Sequence, residues 1–354
     1  MPPQHMEVRV SAPDVLLVDS EKLYRYMADI FVGLGLPLCD AEVVSRSLVE
    51  ADLRGVRSHG VMRVPTYQKG IASGTINPRP RMKIVTDSGS TVVVDGDAAM
   101  GQVAADYSMR LTVERALEHG IAAVGLRNSR HCGAMAHWAL MALPADCIGF
   151  AATNAGMNMA PTGGIDKLIG NNPFAVAVPT NRDWPMVMDM ATSVAAGGKL
   201  DIAAVRGEKI PLGWAIDENG APTDDPIVAR RGTLLPVGGP KGYAMAVMLD
   251  VVCGVLTGGR YAAMLGPSGS GQYFQAIRVD RFMPVDEFKA RMDALIDQIH
   301  ASRRLPGVER IFVPGEIEHD LATKRRAEGM PLEIKLVESL AAIAREVGVQ
   351  PLTA

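Results

Sequence analysis

The chain has 354 residues, 36 basic against 39 acidic, with 48% hydrophobic side chains. That length allows one large domain or roughly two to three smaller ones, and the apolar content supplies a core and excludes a disordered chain. A net charge of -3, no basic block and 5% aromatic residues argue against a nucleic-acid partner.

The N-terminal segment reads as helical to about residue 75. Ser20 can cap a helix with Leu23, Tyr26, Met27, Ile30 and Phe31 on one stripe, stopped by Gly33. Asp40 can cap a second helix to about Leu53, with Val44, Leu48 and Ala51 on one face. From about Pro78 the character changes. TVVVDGD reads as a strand and turn, and a helix is expected from Gln102 to about His119. Short apolar runs follow at 121–126, 147–154, 174–180 and 186–192. Continuous apolar runs of this length suit strands buried on both faces, and helical patterns between them predict a layered α/β core. A helix from about Pro240 to Leu256 is apolar nearly all round and is expected in the interior. Amphipathic helices are predicted around Phe288–Ile299 and over Pro331–Val347.

The four cysteines (Cys39, Cys132, Cys147, Cys253) are scattered, which excludes a disulfide scaffold and gives no zinc spacing. The first residues contain no apolar signal region, and the most apolar stretch, Tyr243–Leu256, is too short for a bilayer and carries Asp250. A reduced, cytoplasmic protein without a membrane partner is the expectation.

No G-x-G-x-x-G, P-loop, H-E-x-x-H or G-x-S-x-G motif occurs. Three segments carry candidate chemistry. In Arg57–Arg63, His59 can titrate near neutral pH, Ser58 can orient it, and Arg63 can hold a carboxylate as a bidentate fork. The alternative there is a turn with a surface histidine and a paired arginine. In Asn128–Ala134, a strand leads through a loop with His131 and Cys132 to a helix start, a place that receives anions. An ordinary turn is the alternative. At Gly239–Tyr243, Pro240 opens a helix and Lys241 stands in its first turn against the helix dipole, which suggests a bound anion; a solvated lysine is the alternative.

Six motifs in register give the chain a resemblance: DLRGVRSHGVMRVPTY (52–67), NSRHCGAM (128–135), GGIDKLIGNNPFAVAVPT (163–180), MDMATSVAAGGKL (188–200), GPKGYAMAVMLDVVCGVLTG (239–258) and VPGE (313–316). Together they resemble the malate/L-lactate dehydrogenase family of the L-sulfolactate dehydrogenase type, which includes ureidoglycolate dehydrogenase, diketogulonate reductase and the piperideine-2-carboxylate reductases. The resemblance implies a non-Rossmann fold, a three-layer α/β/α core around a mixed sheet with a helical domain from the two chain ends. The corresponding boundaries are 1–77 plus 310–354 for the helical substrate and dimer domain and 78–309 for the NAD(P)-binding domain. It further implies a homodimer that transfers hydride between NAD or NADP and a small 2-hydroxy acid/2-keto acid pair. A cyclic imino-acid reductase and a catalytically silent binding protein of the same fold remain as alternatives.

Carried over by position, the resemblance makes His59 the proton donor and acceptor, with Ser58 as its hydroxyl partner and Arg63 on the substrate carboxylate. His131 falls at the nicotinamide end, and family members differ over which histidine is the base. Asn171, Asp189, Met190, Ala191, Pro240 and Lys241 fall on cofactor contacts, as do Gly315 and Glu316 on a late loop. Lys199 occupies a position where imine-reducing relatives carry aspartate, which points to the hydroxy-acid branch and gives Lys199 a catalytic place. The stretch Leu256–Phe274 is shorter than in many relatives.

Overall fold

The computed structural model describes residues 15–266 and 270–352. Its first element is a strand that the helical reading of this region does not contain. β1 (Val15–Val18) pairs antiparallel with β11 (Met330–Glu333), Val15 opposite Glu333 and Val18 opposite Met330. A pairing that spans almost the whole chain leaves no local pattern, so the last helix also begins later than its periodicity suggests, as α11 (Ile334–Glu346). α1 (Ser20–Gly33) is capped by Asp19, not Ser20: the Asp19 carboxylate accepts from the Lys22 N–H at 2.9 Å. α2 (Leu38–Leu53) starts after Pro37, and Asp40 lies in its first turn, where a carboxylate favours the helix dipole. With α3 (Val64–Ala72) and α10 (Glu316–Glu328), these elements share one core that includes Leu23, Phe31, Leu48, Tyr67, Met330 and Leu340.

The middle of the chain builds a seven-stranded sheet from β2 (Lys83–Asp87), β3 (Thr91–Asp95), β4 (Ile121–Ser129), β5 (Cys147–Thr153), β6 (Phe174–Val178), β7 (Met186–Met190) and β10 (Ser270–Arg278). The order is β2-β3-β4-β10-β5-β6-β7. Only β3 and β4 run parallel; every other neighbouring pair is antiparallel, so the sheet is mixed. The late strand β10 fills the centre, between β4 and β5.

The two faces of the sheet are both covered. On one, α4 (Gly101–His119) lies over β4 and β10, and α5 (Met135–Leu140) over β5 and β6. Trp138, Leu126 and Phe274 are fully buried between them. On the other, α8 (Pro240–Asp250) and a π-helical continuation (Val251–Val255) approach β4, β5 and β10. The expectation of an interior helix here is corrected: Ala246, Leu249 and Cys253 are buried, but Met248, Val255 and Leu256 are exposed on its outer side. A smaller unit of α6 (Gly197–Arg206), α7 (Pro226–Arg231) and the pair β8 (Ala215–Ile216) with β9 (Thr233–Leu234) packs around Leu200, Ala215 and Leu234. α9 (Val285–His300) completes the amphipathic set. The shortened stretch after Leu256 lies partly outside the described residues.

Candidate active site

The site forms where the end of α2 meets the loop after β4. Beyond α2 the chain makes two single helical turns, Arg57–His59 and Val61–Arg63, joined by Gly60. A buried carboxylate fixes this joint: Asp52 Oδ2 accepts from the Val61 N–H at 2.8 Å. Burial pushes the Asp52 carboxyl up to about 6, against the opposing pull of the Val61 N–H and the Arg57 and Arg325 charges. The Arg325 guanidinium also donates to the Asp52 carbonyl. A Cβ on Gly60 would stand 2.1 Å from Asp52 Oδ1, so only glycine lets the loop close on α2.

The joint presents Ser58, His59 and Arg63 on one side. Ser58 Oγ is 2.9 Å from His59 Nδ1, and Arg63 Nε donates to the Ser58 carbonyl at 2.5 Å. Among the described residues no carboxylate pairs with Arg63, which leaves its outer N–H groups for a ligand. Burial, and secondarily the Arg63 charge, lowers the His59 pKa to about 4.

The loop after β4 delivers the second imidazole. The His59 and His131 rings stack with centroids 5.3 Å apart at 24°. His131 Nδ1 meets the Tyr67 hydroxyl at 2.7 Å, and Gln102 Nε2 donates to the same oxygen at 2.8 Å. Gly101 abuts this loop so closely that a Cβ there would lie 2.3 Å from the His131 carbonyl oxygen. His131 is walled in by protein on one side and open to the cleft on the other; the surrounding protein, then His59 and Arg63, hold its pKa well below the ordinary histidine value.

The positions expected at a cofactor gather along the neighbouring strand ends. The Thr192 N–H and hydroxyl both donate to the Asn171 carbonyl at 2.9 Å, and the Val237 N–H donates to the Thr192 carbonyl at 2.8 Å. This ties Asn171, Met190, Ala191 and the start of α8, with Pro240 and the exposed Lys241, to one corner. Asp189 Oδ2 accepts the Ala136 N–H at 2.9 Å. Asp189 keeps a solvent-facing side, yet the protein crowded around its carboxyl pushes it up to about 6. The late loop joins here, because the Val187 N–H donates to the Pro314 carbonyl at 3.0 Å and Gly315 packs on Val187. Glu316 points elsewhere: it is 2% exposed and accepts from Arg310, from His300 at 3.0 Å and from the Val313 N–H at 3.1 Å. Lys199 also stands apart from the histidines. Its ammonium lies over the Trp214 ring, 5.7 Å from the centroid, while a Cβ on the preceding Gly198 would stand 3.5 Å from the Ser58 Cβ.

Between α2 and α5 a cavity of about 270 Å³ opens beside Asp189, lined among others by Arg54, Ala136, His137 and Met141. Arg54 Nε is enclosed and has no partner among the described residues. Asp52, Tyr67 and Gln102 are the residues that sequence reasoning passed over. The first two lie inside the segment 52–67 and could have been sought there; Gln102 carries no local signal.

Comparison with known proteins identifies the family of the chain. The family model described as malate/L-lactate dehydrogenase matches residues 18–341. The chain is 39% identical to malate dehydrogenase of Pyrococcus abyssi, over 95% of this chain and 96% of the relative. It is 38% identical to L-sulfolactate dehydrogenase of Methanocaldococcus jannaschii, over 94% and 97%. The solved malate dehydrogenase of Pyrococcus horikoshii superposes with a TM-score of 0.90 at 35% identity, covering 97% of this chain and 99% of that one.

Proposed function

The chain belongs to the malate/L-lactate dehydrogenase family, and on that footing we propose how its residues interconvert a small 2-hydroxy acid and its 2-keto acid. The reading is carried by one observation: two stacked imidazoles, each with a nitrogen left free among the described residues, beside an arginine without a carboxylate partner among them. Arg63 holds the substrate carboxylate through paired, charge-assisted hydrogen bonds. His59 takes the proton from the C2 hydroxyl in oxidation and returns it in reduction. Ser58 Oγ can accept the Nδ1–H of His59, which leaves Nε2 unprotonated in the neutral ring to exchange the proton. His131 contacts the same substrate oxygen from the open side of the cleft.

The family implies a nicotinamide cofactor, NAD or NADP, and the residues present fit one. The orphaned Arg54 Nε and the exposed Lys241 in the first turn of α8 supply cationic donors for phosphates. Asn171, Asp189, Met190, Ala191, Pro240 and Gly315 would line the rest of the binding surface. Glu316 would act by holding that loop in place, and Lys199 by setting the field at the mouth of the site. When bound, the nicotinamide supplies or removes the hydride at the substrate C2.

We further propose that helices on both sheet faces make a three-layer core. Residues 1–77 with 310–354 would form a helical substrate and dimer domain, and 78–309 the cofactor domain. The shared core of α1, α2, α3, α10 and α11 supports this division. A homodimer fits the exposed Met248, Val255 and Leu256 on α8 and its continuation, an apolar strip that a single chain leaves wet. Four free cysteines fit a reducing, cytoplasmic setting, and no helix among the described residues is long and apolar enough to cross a membrane. Fluorescence titration with NADH and with NADPH tests the cofactor reading. Saturable binding of at least one supports it, and no binding at millimolar cofactor would favour a silent binding protein.

A further inference from the structure

Tyr67 and Gln102 lie behind His131, and no role above uses them. Tyr67 is 3% exposed on α3, and Gln102 is fully buried in the first turn of α4. The phenol oxygen stands between two nitrogens, Gln102 Nε2 at 2.8 Å and His131 Nδ1 at 2.7 Å. A phenol has a single proton, and among the described residues only these two groups meet it, so if one donates the other must accept or the buried proton goes unpaired. With the amide donating to the phenol oxygen, the phenol proton goes to Nδ1. A neutral His131 then carries its own proton on Nε2.

The reverse arrangement is disfavoured. It would turn the Gln102 amide over and place its two N–H donors where Oε1 now has no partner among the described residues. A buried unmet carbonyl is tolerated better than unmet N–H donors. Burial raises the Tyr67 pKa, so the phenol keeps its proton, and the lowered His131 pKa keeps that ring neutral. His59 is built differently. Its Nδ1 partner is the Ser58 hydroxyl, whose oxygen can accept an Nδ1–H, so the neutral ring can hold its proton on Nδ1 and leave Nε2 to take the substrate proton.

We infer that Tyr67 and Gln102 are positioning residues that lock His131 as the Nε2–H tautomer, so that His131 is a hydrogen-bond donor to the substrate's C2 oxygen and proton exchange falls to His59. This rests on the placement of the two histidines at the substrate proposed above. In oxidation the C2–H electron pair leaves as hydride to the nicotinamide, the hydroxyl proton passes to His59, and the C–O bond becomes a carbonyl. His131 transfers nothing; its N–H stabilises the alkoxide character of the transition state.

The test is two-bond ¹H–¹⁵N NMR of the full chain labelled with ¹⁵N-histidine, with His131 assigned by loss of its signals in His131→Gln. Wild-type His131 should show a protonated Nε2 and an acceptor Nδ1 between pH 6 and 8. Gln102→Glu puts a carboxylate opposite the phenol, which draws the phenol proton away and should move the His131 proton to Nδ1. That variant should lose at least tenfold in kcat, with KM for the keto acid changed less than threefold. Tyr67→Phe should release the lock and give a mixture of tautomers. A protonated Nδ1 in the wild type, or an unchanged tautomer and kcat in Gln102→Glu, would overturn the inference. Full turnover in His131→Gln, with Nε2–H seen in the wild type, would instead overturn the placement of His131 at the substrate, and with it the site on which the inference depends.

Discussion

Gly60 and Asp52 touch so closely that no side chain fits between them: a Cβ at Gly60 would lie 2.1 Å from the Asp52 carboxylate. The contact matters because the same carboxylate caps Val61 and so sets the loop that carries Ser58, His59 and Arg63. Gly60 has ordinary extended backbone angles, φ -86 and ψ -157, so alanine would be strained there by the contact alone. Gly60→Ala should therefore cost about 1–3 kcal/mol of stability, the usual range for overpacking. It should also lower kcat, because His59 moves with the loop. The double variant with Asp52→Ala should be more stable than the sum of the single changes predicts, by calorimetry. Simple additivity would show that the two residues do not meet.

His59→Ala should lower kcat by roughly 10²–10⁴, the range for loss of a general acid–base group, with little change in cofactor affinity. Steady-state kinetics with a parallel NADH or NADPH titration separates the two effects. Wild-type turnover in the variant would move proton exchange to His131.

Arg63→Ala should raise KM for 2-keto acids at least tenfold, since a paired carboxylate contact in an enclosed site is costly to lose. The control is a ketone without a carboxylate. Equal losses on both substrates would make Arg63 a prop for the Ser58 carbonyl, which it also holds.

His137 links the site to pH. It lies edge-on to Trp138 at 4.6 Å, and burial, with the Arg46 and Arg54 charges, lowers its pKa to about 4. The unfolded chain binds that proton near the ordinary value of about 6.5, so between those two pH values it binds more protons than the folded chain. Stability on this account is unaffected above pH 6.5 and falls as pH drops toward 4. His59 and His131 act in the same direction. Asp52 and Asp189, raised to about 6, act the other way between pH 6 and their unfolded value near 4. His137→Asn should therefore flatten the acid loss of stability seen in urea titrations at pH 7, 6 and 5. An unchanged pH slope would show that His137 titrates normally.

Much of this site was legible in the residues themselves. The pairing of Ser58 with His59 and the nearness of Arg63 follow from a seven-residue segment, and the stop at Gly33 and the end near His119 mark real helix ends. What the sequence hides is long-range. β1 finds its partner at the far end of the chain, and β10 enters the middle of the sheet from late in the sequence. Gln102 reaches the Tyr67 hydroxyl beside His131 only because α4 is laid against the loop after β4. The helix from Pro240 misleads for another reason: its apolar outer face has the composition of an interior helix while lying on the surface of the single chain. Glu316 and Lys199 are singled out by the resemblance, but their partners, Arg310 with His300 and Trp214, are not visible from spacing.

Lys199 also bears on which oxidation the enzyme performs. On the proposed reading Lys199 marks the hydroxy-acid branch, since a cation close to the substrate would favour an oxyanion, the need of a hydroxy acid, and disfavour a protonated imine. The most direct measurement is kcat/KM of the wild-type protein, with NAD(H) and NADP(H), on a panel of malate, lactate and sulfolactate with their keto acids, set against piperideine-2-carboxylate. At least one hydroxy acid or keto acid should exceed the cyclic imine by an order of magnitude or more. A higher kcat/KM on the cyclic imine, or no turnover of any hydroxy or keto acid, would contradict the account.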